Sequence, residues 1–492
     1  MVEDERARFE RRGTVSVVPR SATGAVLGDD PARLLRRPVE DFLPEPGTVD
    51  RLADAYLREG LTVEARTDVG LTVAGDNALL AEVFGSPVVP VRNKYIRETV
   101  RYELKAAGAL RSRPCPELVA EVRAPRAGFE LAGPGTAGEA VAGPEPGGSG
   151  RAGSGRAGSE RAGSGRAVGA VPPSSVPGRY LRLPGDAARL AGADRLHAAG
   201  IRGEGVRVVM VDTGLYDHPH HRAHGYTTSV VPALEPLDPR ADERGHGTAM
   251  SALLLAVAPA VSLTMVKMAG EAFSFPLAAF QRAVQLEPDV ISCSWGTLRE
   301  EPHLHLEVAA AVRRGITVLF AAGNGSTDRR TAMFQSVATP GALTVGGVHV
   351  APDGGLRASD LASSYRSAVF PGRSVPDLSG PCGMLPHGDY IVFPTQPGCL
   401  FDRRNSAYDS TAPDDGWLVS SGTSGATAYA AGVAALAVQR GVGKGRALRA
   451  EDLADACLPV TEGRSLTGDD CGGASPNEAV GLGLLTAGPP GR

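Results

Sequence analysis

A series of short apolar runs in the second half of the chain constrains the fold more than any other feature. The runs are VRVVMVDTG (206–214), SLTMVKM (262–268), DVISCSWG (289–296), TVLFAAGN (317–324) and ALTVGGV (342–348). Helical stretches lie between them, among them FQRAVQLE (280–287) and LEVAAAVRRG (306–315). Near-continuous apolar strands that alternate with helices predict an α/β fold, in which a parallel sheet is covered by helices on both faces. The chemistry of such a sheet lies at the carboxyl ends of its strands.

A low-complexity segment at 133–177 separates this region, 178–492, from the N-terminal part. The segment repeats RAGSG, RAGSE and RAGSG over 151–165 and contains few large apolar residues. Such a segment cannot bury enough apolar surface to offset the entropy of the chain, so we predict a flexible linker. The alternative is a solvated basic strip that binds an acidic partner.

The N-terminal part combines a charged beginning with a compact pattern. Residues 1–20 begin with MVEDERARFERRG and are expected to be disordered. The order helix, strand, strand, helix, strand within 21–132 predicts a small α+β domain of the ferredoxin-like kind. The segments are VDRLADAYLREG (49–60), LTVEART (61–67), GLTVAG (70–75), DNALLAEVFG (76–85) and VVPVRNKYI (88–96).

Composition and charge argue against several classes of partner. The net charge of −4 over 492 residues gives no electrostatic reason to expect nucleic acid or an anionic membrane as a partner. No apolar run reaches the roughly 18 residues that a membrane span needs. The N-terminus lacks the apolar core of a secretory signal, so a cytoplasmic location is expected unless the true start of the protein lies upstream, which would make it secreted.

The six cysteines allow two interpretations. Cys382 with Cys399, and Cys457 with Cys471, are close enough in the sequence to close small loops in an oxidising compartment. No Cys-x-x-Cys occurs, so neither a zinc site nor a redox motif is indicated. We expect reduced thiols.

Two polar residues in the second half suit an acid–base pair. Asp212 ends the run VRVVMV, and Gly214 permits a sharp turn, so the carboxylate can accept a hydrogen bond from an imidazole. His246 lies between two glycines at the start of a predicted helix, where its ring can turn towards a cleft. Alone, an aspartate at the start of such a turn is more often a helix or turn cap, and a lone histidine is usually structural, although the Gly-His-Gly-Thr context favours a functional histidine here.

A hydroxyl and an amide complete the set of groups that peptide hydrolysis needs. Ser424 lies at the start of a predicted small-residue helix, where backbone N–H groups favour negative charge. An N-capping role is its alternative, and Ser420, Ser421 and Thr423 are alternative nucleophiles. Asn324 suits an oxyanion donor, or a turn residue, between two glycines.

The run HPHHRAH at 218–224 is rich in histidine. It supplies four imidazoles that could bind a metal ion: His218, His220, His221 and His224. No fixed ligand geometry is evident from the spacing, so the sequence favours structural or solvated histidines and no metal site.

Five motifs resemble those of the subtilisin family of serine proteases. They are VVMVDTGLYDHP (208–219), GHGTAM (245–250), SCSWG (292–296), AAGNGS (321–326) and SGTSGATAYAAG (421–432), which carry Asp, His and Ser in that order. The resemblance implies a subtilisin-like fold and a serine endopeptidase with the catalytic triad Asp212, His246 and Ser424. It also implies that Asn324 and the backbone N–H of Ser424 bind the oxyanion.

The same resemblance implies how substrate is bound. Ser294, Trp295 and Gly296 fall where the family lines its specificity pocket and pairs with an extended protein or peptide substrate. No cofactor is required in the family; structural calcium is common there, but this sequence does not allow its ligands to be assigned.

The N-terminal part has a resemblance of its own. GLTV (70–73), VAGDNALLAEVFGSPV (73–88) and RPCPELVAEV (113–122) are similar to the activation domain of pro-kumamolisin. This similarity implies a zymogen with its own prodomain as an inhibitory partner. An unrelated ferredoxin-like domain is the alternative.

Two comparisons within these families shape the expected activity. Residues 425–428 read Gly-Ala-Thr-Ala where the family usually has Met-Ala-Ser-Pro, which removes a rigid proline but no catalytic group. The related sedolisins carry Glu and Asp in place of His246 and Asn324. We therefore expect neutral-to-alkaline activity, because a histidine base must be unprotonated.

A binding protein on a silent protease fold and a dedicated intracellular processing peptidase are the rival functions.

Overall fold

The computed structural model describes most of the chain. The described residues are 12–86, 88–92, 100–104, 112–123, 129–131, 168–234, 237–270, 275–297, 301–325, 335–460, 462 and 476–488. Within these ranges, no helix is long and apolar enough to cross a membrane.

The second half of the chain is built around a ten-stranded sheet. Its strands lie in the spatial order Thr228–Pro232, Ser262–Lys267, Arg207–Asp212, Val290–Cys293, Thr317–Ala321, Leu343–Val350, Leu378–Pro381, Leu484–Leu485 and Cys457–Leu458, with Leu356–Ala358 beside Leu343–Val350. All pairs are parallel except those made by Cys457–Leu458 and Leu356–Ala358. The predicted parallel sheet is confirmed.

Helices cover both faces of this sheet, also as predicted. Successive side chains of Arg207–Asp212 enter different cores, Val208 one and Val209 the other, because side chains alternate along a strand. The helices of the first core are Gly185–Ala191, Ala193–Ala198, His246–Val257 and Thr423–Gln439. Those of the second core are Pro276–Gln285 and Pro302–Arg313.

Shorter elements complete this region. The helices are Pro219–Ala223, Leu400–Asn405, Ala450–Leu453 and Pro476–Val480, with 3₁₀ turns at Gln335–Ala338 and Ala454–Ala456. Leu181–Arg182, Ile391–Pro394 and Trp417–Ser420 form a three-stranded sheet, and Tyr365–Arg366 pairs with Ser374–Val375. Trp295–Thr297 pairs with Phe129–Leu131.

The N-terminal part forms an antiparallel four-stranded sheet with two helices. The strands lie in the order Thr62–Arg66, Leu71–Asp76, Arg12–Pro19 and Val119–Arg123, and the helices are Thr48–Arg58 and Asn77–Phe84. The Asp76 carboxylate accepts a hydrogen bond from the Ala78 N–H at 2.8 Å and caps the second helix. A separate pair, Val88–Arg92 with Val100–Leu104, and the turns Pro31–Leu35 and Val39–Phe42 complete this part.

The expectation of disorder at 1–20 is wrong for residues 12–20. Arg12–Pro19 is an inner strand of the N-terminal sheet, and Val15 and Val17 are fully buried. The alternating apolar residues of TVSVV follow directly after a highly charged run, which dominated the interpretation of the sequence. Residues 1–11 lie outside the described part.

The linker predicted at 133–177 lies outside the described residues up to 167. From 168 onward the prediction of flexibility is wrong. Val176 and Tyr180 are buried in a cluster with Trp417, and the Trp417 indole N–H donates to the Gly169 carbonyl at 3.3 Å. The sequence there, VGAVPPSSVP, has left the Gly-Ser-Arg repeat, and its apolar residues have a surface to pack against.

A chain of buried polar side chains joins the N-terminal domain to the second domain. Thr72 Oγ1 donates to Gln281 Oε1 at 2.6 Å, and Gln281 Nε2 donates to Glu307 Oε1 at 2.7 Å. Thr67 Oγ1 donates to Glu307 Oε2 at 2.8 Å. Glu307, which is 1% exposed, therefore accepts hydrogen bonds from both domains.

His303 extends this buried network. Its Nδ1 is hydrogen-bonded to the hydroxyl of Ser16 from the N-terminal sheet. Its Nε2 lies 3.2 Å from Glu307 Oε1, without the alignment of a hydrogen bond. Ser16, Thr72, Gln281, His303 and Glu307 are buried, although Thr67 is half-buried. A buried member that loses its partner therefore carries its full cost of desolvation.

We expect Glu307→Ala to lower the free energy of unfolding of the full chain by about 3 kcal/mol, because Thr67 and Gln281 lose a buried acceptor. The matched control is Glu40→Ala, which removes an ion pair with Arg313 at the same interface. The side chains of Glu40 and Arg313 are 48% and 47% exposed. That change should cost less than about 1 kcal/mol. Urea unfolding measures both variants, and equal losses would contradict the role of the buried network.

Candidate active site

The sheet and two helices bring three of the predicted site residues to the same edge. Asp212 is the last residue of Arg207–Asp212, and His246 is the first residue of His246–Val257. Ser424 lies in the first turn of the helix Thr423–Gln439. All three are almost completely buried, with exposures of 0%, 3% and 2%.

Asp212 and His246 form a direct hydrogen bond. His246 Nδ1 lies 2.7 Å from Asp212 Oδ1, and because a carboxylate can only accept, the proton lies on Nδ1. The Thr213 N–H donates to the same oxygen at 2.7 Å and holds the carboxylate in place. The other ring nitrogen, Nε2, is buried and has no partner, so a neutral ring offers its lone pair there.

Asp242, which the sequence interpretation missed, fixes both members of this pair. Its Oδ1 accepts from Thr213 Oγ1 at 2.7 Å and from the Gly245 N–H at 2.9 Å. Its Oδ2 accepts from the N–H and the hydroxyl of Thr248 at 2.8 and 2.7 Å. Burial raises the pKa of the Asp242 carboxyl above its ordinary value, and these donors act against that rise. One side chain thus connects the residue after Asp212 to the helix that begins at His246.

Ser424 faces the same space but is not hydrogen-bonded to His246. Its hydroxyl donates instead to the Ser294 carbonyl at 3.0 Å. Ser424 and His246 both line the same cavity. The hydrogen bond between Asp212 and His246 is therefore formed. A hydrogen bond between Ser424 and His246 requires the Ser424 hydroxyl to turn away from Ser294. Such bonds are commonly loose before substrate binds.

The alternative nucleophiles Ser421 and Thr423 donate their hydroxyls to other protein groups, and Ser420 lies on a strand before the helix of Ser424. Ser421 Oγ donates to the Gly388 carbonyl at 2.8 Å. Thr423 Oγ1 accepts from the Gly323 N–H and donates to Asn324 Oδ1, both at 3.0 Å. Ser420 ends the strand Trp417–Ser420. Ser424 is the hydroxyl that combines the helix N-terminus with the cavity of His246.

Asn324 is held with its amide nitrogen unpaired. It follows the buried strand Thr317–Ala321, and its Oδ1 accepts from the Thr423 N–H at 2.9 Å. This bond attaches Asn324 to the residue before Ser424. Its Nδ2 is buried without a partner, which is the state expected of a donor reserved for a group that the free protein lacks.

The predicted substrate-binding residues divide into two kinds. Trp295 can offer only its backbone to a paired strand, because its ring is fully buried and its Nε1 donates to the Val211 carbonyl at 2.9 Å. With Gly296 and Thr297 it forms a strand that pairs antiparallel with Phe129–Leu131. Ser294 Oγ donates to the Ser424 carbonyl at 2.9 Å and ties this strand to the helix of Ser424.

The histidine run packs into an apolar cluster instead of forming a ligand set. His218, His220 and His221 are buried, and the rings of His218 and His220 meet the edge or face of Trp417 at 5.2 and 5.7 Å. Burial lowers the pKa of His218 to about 3, of His220 to about 4 and of His221 to about 3. In the described ranges no group of histidine, cysteine, aspartate or glutamate has the arrangement of a metal site.

The cysteines within the described residues are free thiols. Cys382 and Cys399, which the sequence allowed to form a disulfide, are both buried and unlinked. Burial raises the pKa of the Cys382 thiol to about 11, so it is not a reactive thiolate at neutral pH. Cys471 lies outside the described residues.

Fold and site together define the class of α/β proteins that carry an Asp–His pair and a helix-borne serine at one edge of a parallel sheet. The model of the subtilase family of peptidases matches residues 203–481, and the chain belongs to the subtilase family.

Individual relatives cover parts of the chain. This chain is 31% identical over 278 residues to serine protease AprX of Bacillus subtilis (strain 168), and the aligned region covers 49% of this chain and 58% of that protein. It is 30% identical over 217 residues to subtilisin E of the same organism, covering 41% and 54%. The chain thus spans a little over half the length of these curated relatives.

A solved structure shows the same fold. Fervidolysin from Fervidobacterium pennivorans, described as a keratinolytic enzyme related to subtilisin, matches with a TM-score of 0.53 at 14% identity. The match covers 97% of this chain and 60% of that one.

The histidine cluster predicts a loss of stability in acid. In the folded protein the pKa values of these histidines are about 3 to 4, below the value of about 6.5 in the unfolded chain. Their contribution to the free energy of unfolding is therefore fully present above pH 6.5 and is lost as the pH falls towards the folded pKa values. Each histidine should remove about 1 kcal/mol between pH 7.5 and 5.5.

Urea unfolding at the two pH values tests this expectation. His220→Gln should reduce the pH-dependent loss by about 1 kcal/mol, whereas His387→Gln, at an exposed site, should not change it. The same pH dependence in all three proteins would contradict the assignment.

Proposed function

We propose that the protein is a serine endopeptidase that hydrolyses peptide bonds through an acyl-enzyme on Ser424. The observation that carries this proposal is the hydrogen bond from His246 to Asp212, which leaves Nε2 unpaired on a histidine that lines the same cavity as Ser424. A base, the group that orients it and a nucleophile are the parts of this chemistry.

Each step follows from a group already described. His246 Nε2 takes the proton of the Ser424 hydroxyl as the oxygen attacks the scissile carbonyl carbon. The Asn324 amide and the Ser424 N–H donate to the resulting oxyanion. Nε2 then gives the proton to the leaving amine, and Asp212 stabilises the charged ring in between. A water molecule then attacks the acyl-enzyme ester, with His246 again as the base, and releases the carboxylic acid and the Ser424 hydroxyl.

The direction of the bound peptide follows from the strand beside Ser424. Phe129–Leu131 lies antiparallel on Trp295–Thr297, with Leu131 opposite Trp295 and therefore nearest to Ser294. A substrate in this position would approach Ser424 with its carboxyl end. Trp295–Thr297 would thus bind the residues that precede the scissile bond by β-augmentation.

The same pairing supports a zymogen. The N-terminal domain rests on the helices Pro276–Gln285 and Pro302–Arg313, and the strand that follows it occupies the edge where a substrate would bind. In this proposal the N-terminal domain from residue 12 onward acts together with Phe129–Leu131 as the inhibitory prodomain, the residues up to 167 as the connection and 168–492 as the peptidase. Cleavage soon after Leu131 would release the edge.

Ser424→Ala should abolish proteolysis and self-cleavage, with a fall in kcat on the order of 10⁶-fold. Labelling by a fluorophosphonate probe and intact mass over time measure reactivity and processing together. Ser420→Ala, a serine in the same cavity, is the matched control and should still be labelled. Persistent cleavage by pure Ser424→Ala protein would contradict the proposal, and an unlabelled Ser424 would favour a silent fold.

Asn324→Asp should lower kcat by about 10² to 10³-fold with little change in KM, because the donor acts mainly on the transition state. The variant keeps an oxygen to accept from the Thr423 N–H, so the local structure should persist. Steady-state kinetics and the unfolding temperature distinguish the two roles. An unchanged kcat would show that Asn324 is only structural.

A further inference from the structure

Lys267 is a fully buried lysine beside the strand that ends at Asp212. It is the last residue of Ser262–Lys267, and it lies opposite Asp212 in the register of the two parallel strands. Residues paired in this way point to the same face of a sheet, here the face covered by the helix His246–Val257. A buried ammonium loses its hydration, so Lys267 depends on the protein for partners.

The partners of the Lys267 ammonium all come from one short segment, 238–243. Its Nζ donates to the carbonyls of Asp238 and Ala241 at 2.8 and 2.7 Å. It also donates to the two carboxylate oxygens of Glu243, at 2.9 and 2.7 Å. The Glu243 side chain is 21% exposed and that of Lys267 is 0% exposed, so the ion pair joins a buried strand to a segment near the surface.

This segment contains Asp242, the carboxylate that fixes the Asp–His pair. Two of the groups that bind Lys267 belong to the residues directly before and after it, Ala241 and Glu243. The ammonium therefore holds the backbone on both sides of Asp242. Through Lys267, that backbone is tied to the strand next to Asp212.

The turn after Asp212 packs against the same segment. A Cβ atom at Gly214 would lie 2.5 Å from the Ala241 carbonyl oxygen and 3.3 Å from the Cα of Asp242. The Ala241 carbonyl thus contacts both this turn and the Lys267 ammonium. A shift of this carbonyl would move the segment relative to Asp212.

The segment also receives a loop, 395–416, that contacts the base. The Leu400 N–H donates to the Glu243 carbonyl at 3.0 Å, and the Phe401 N–H donates to the carbonyl of the next residue at 3.1 Å. Phe401 lines the cavity beside the base, and its ring centroid lies 5.9 Å from that of His246. A displaced segment would therefore also displace this aromatic contact of the imidazole.

We propose that Lys267, together with Glu243, is a positioning residue for the reaction, because it holds the segment that aligns Asp212 with His246. The inference rests on the proposed endopeptidase function. Within the described residues, the hydrogen bonds of Lys267 Nζ go to the segment and not to the reacting groups, so the lysine acts through their geometry. A catalytic group misplaced by about 1 Å can lower a rate by about 10²-fold.

Lys267→Met tests this role, because it replaces the ammonium by an apolar end of similar length. Self-processing of the full chain, followed by intact mass, should slow by about 10²-fold. For a peptide substrate kcat should fall by a similar factor with little change in KM, since the substrate-binding strand is not altered. Glu243→Gln should lower kcat less, by several-fold, because the lysine keeps its two backbone carbonyls.

Arg373→Met is the matched control. Arg373 forms a largely buried ion pair with Asp377 at 2.6 Å, with side chains 18% and 15% exposed. Its Nη2 donates to the carbonyl of Ala342, directly before the strand Leu343–Val350, so this pair lies at the edge of the sheet opposite to Asp212. The substitution should lower the unfolding temperature and leave kcat unchanged.

A spectroscopic measurement separates positioning from a general loss of stability. The proton on His246 Nδ1, which is bonded to the Asp212 carboxylate, should give a proton NMR resonance far downfield, and His246→Ala assigns it by its loss. At a temperature where all variants are folded, the resonance should move in Lys267→Met and in Glu243→Gln. It should stay in place in Arg373→Met.

The outcomes separate this inference from the proposed function. An unchanged resonance or an unchanged kcat in the folded Lys267 and Glu243 variants would overturn the positioning role, and so would equal changes in Arg373→Met. If Lys267→Met does not fold, Glu243→Gln decides by the same two measurements. An unsubstituted protein that neither cleaves peptides nor is labelled at Ser424 would overturn the endopeptidase function, and with it any role of Lys267 in the reaction.

Discussion

The carboxylate of Asp242 is the constraint on which the site depends. It receives four hydrogen bonds in a fully buried position, from Thr213 on one side and from Gly245 and Thr248 on the other. A strand end and a helix start can move independently unless something joins them. Asp242 joins them beside Asp212 and His246, so the hydrogen bond between those two residues is set by the structure around it.

The same segment also receives the loop 395–416. Thr395 Oγ1 donates to the Gly245 carbonyl at 2.9 Å, and the Asp242 N–H donates to Gln396 Oε1 at 2.7 Å. The residues that orient the base therefore also position the cavity wall at Phe401.

Much of this was accessible from sequence because it depends on local patterns. The apolar run before Asp212, the glycines around His246 and the small-residue helix after Ser424 each predict their own element, and the observed elements follow them. Errors arose where a strong local signal covered a weaker one. The charged N-terminus concealed the strand Arg12–Pro19, and the Gly-Ser-Arg repeat concealed the packed end at 168–177.

The sequence by itself determined the parallel sheet, the elements that carry the site and the identities of Asp212, His246, Asn324 and Ser424 as candidates, since strand and helix periodicities are local properties. Only the tertiary structure decided that Asp242 is buried between two of them, that Ser424 turns to Ser294, and that Phe401 closes a cavity. The physical reason is distance along the chain. Ser424 and Ser294 are separated by 130 positions in the sequence. A local sequence pattern does not predict which of many polar or aromatic residues come into contact over such a separation.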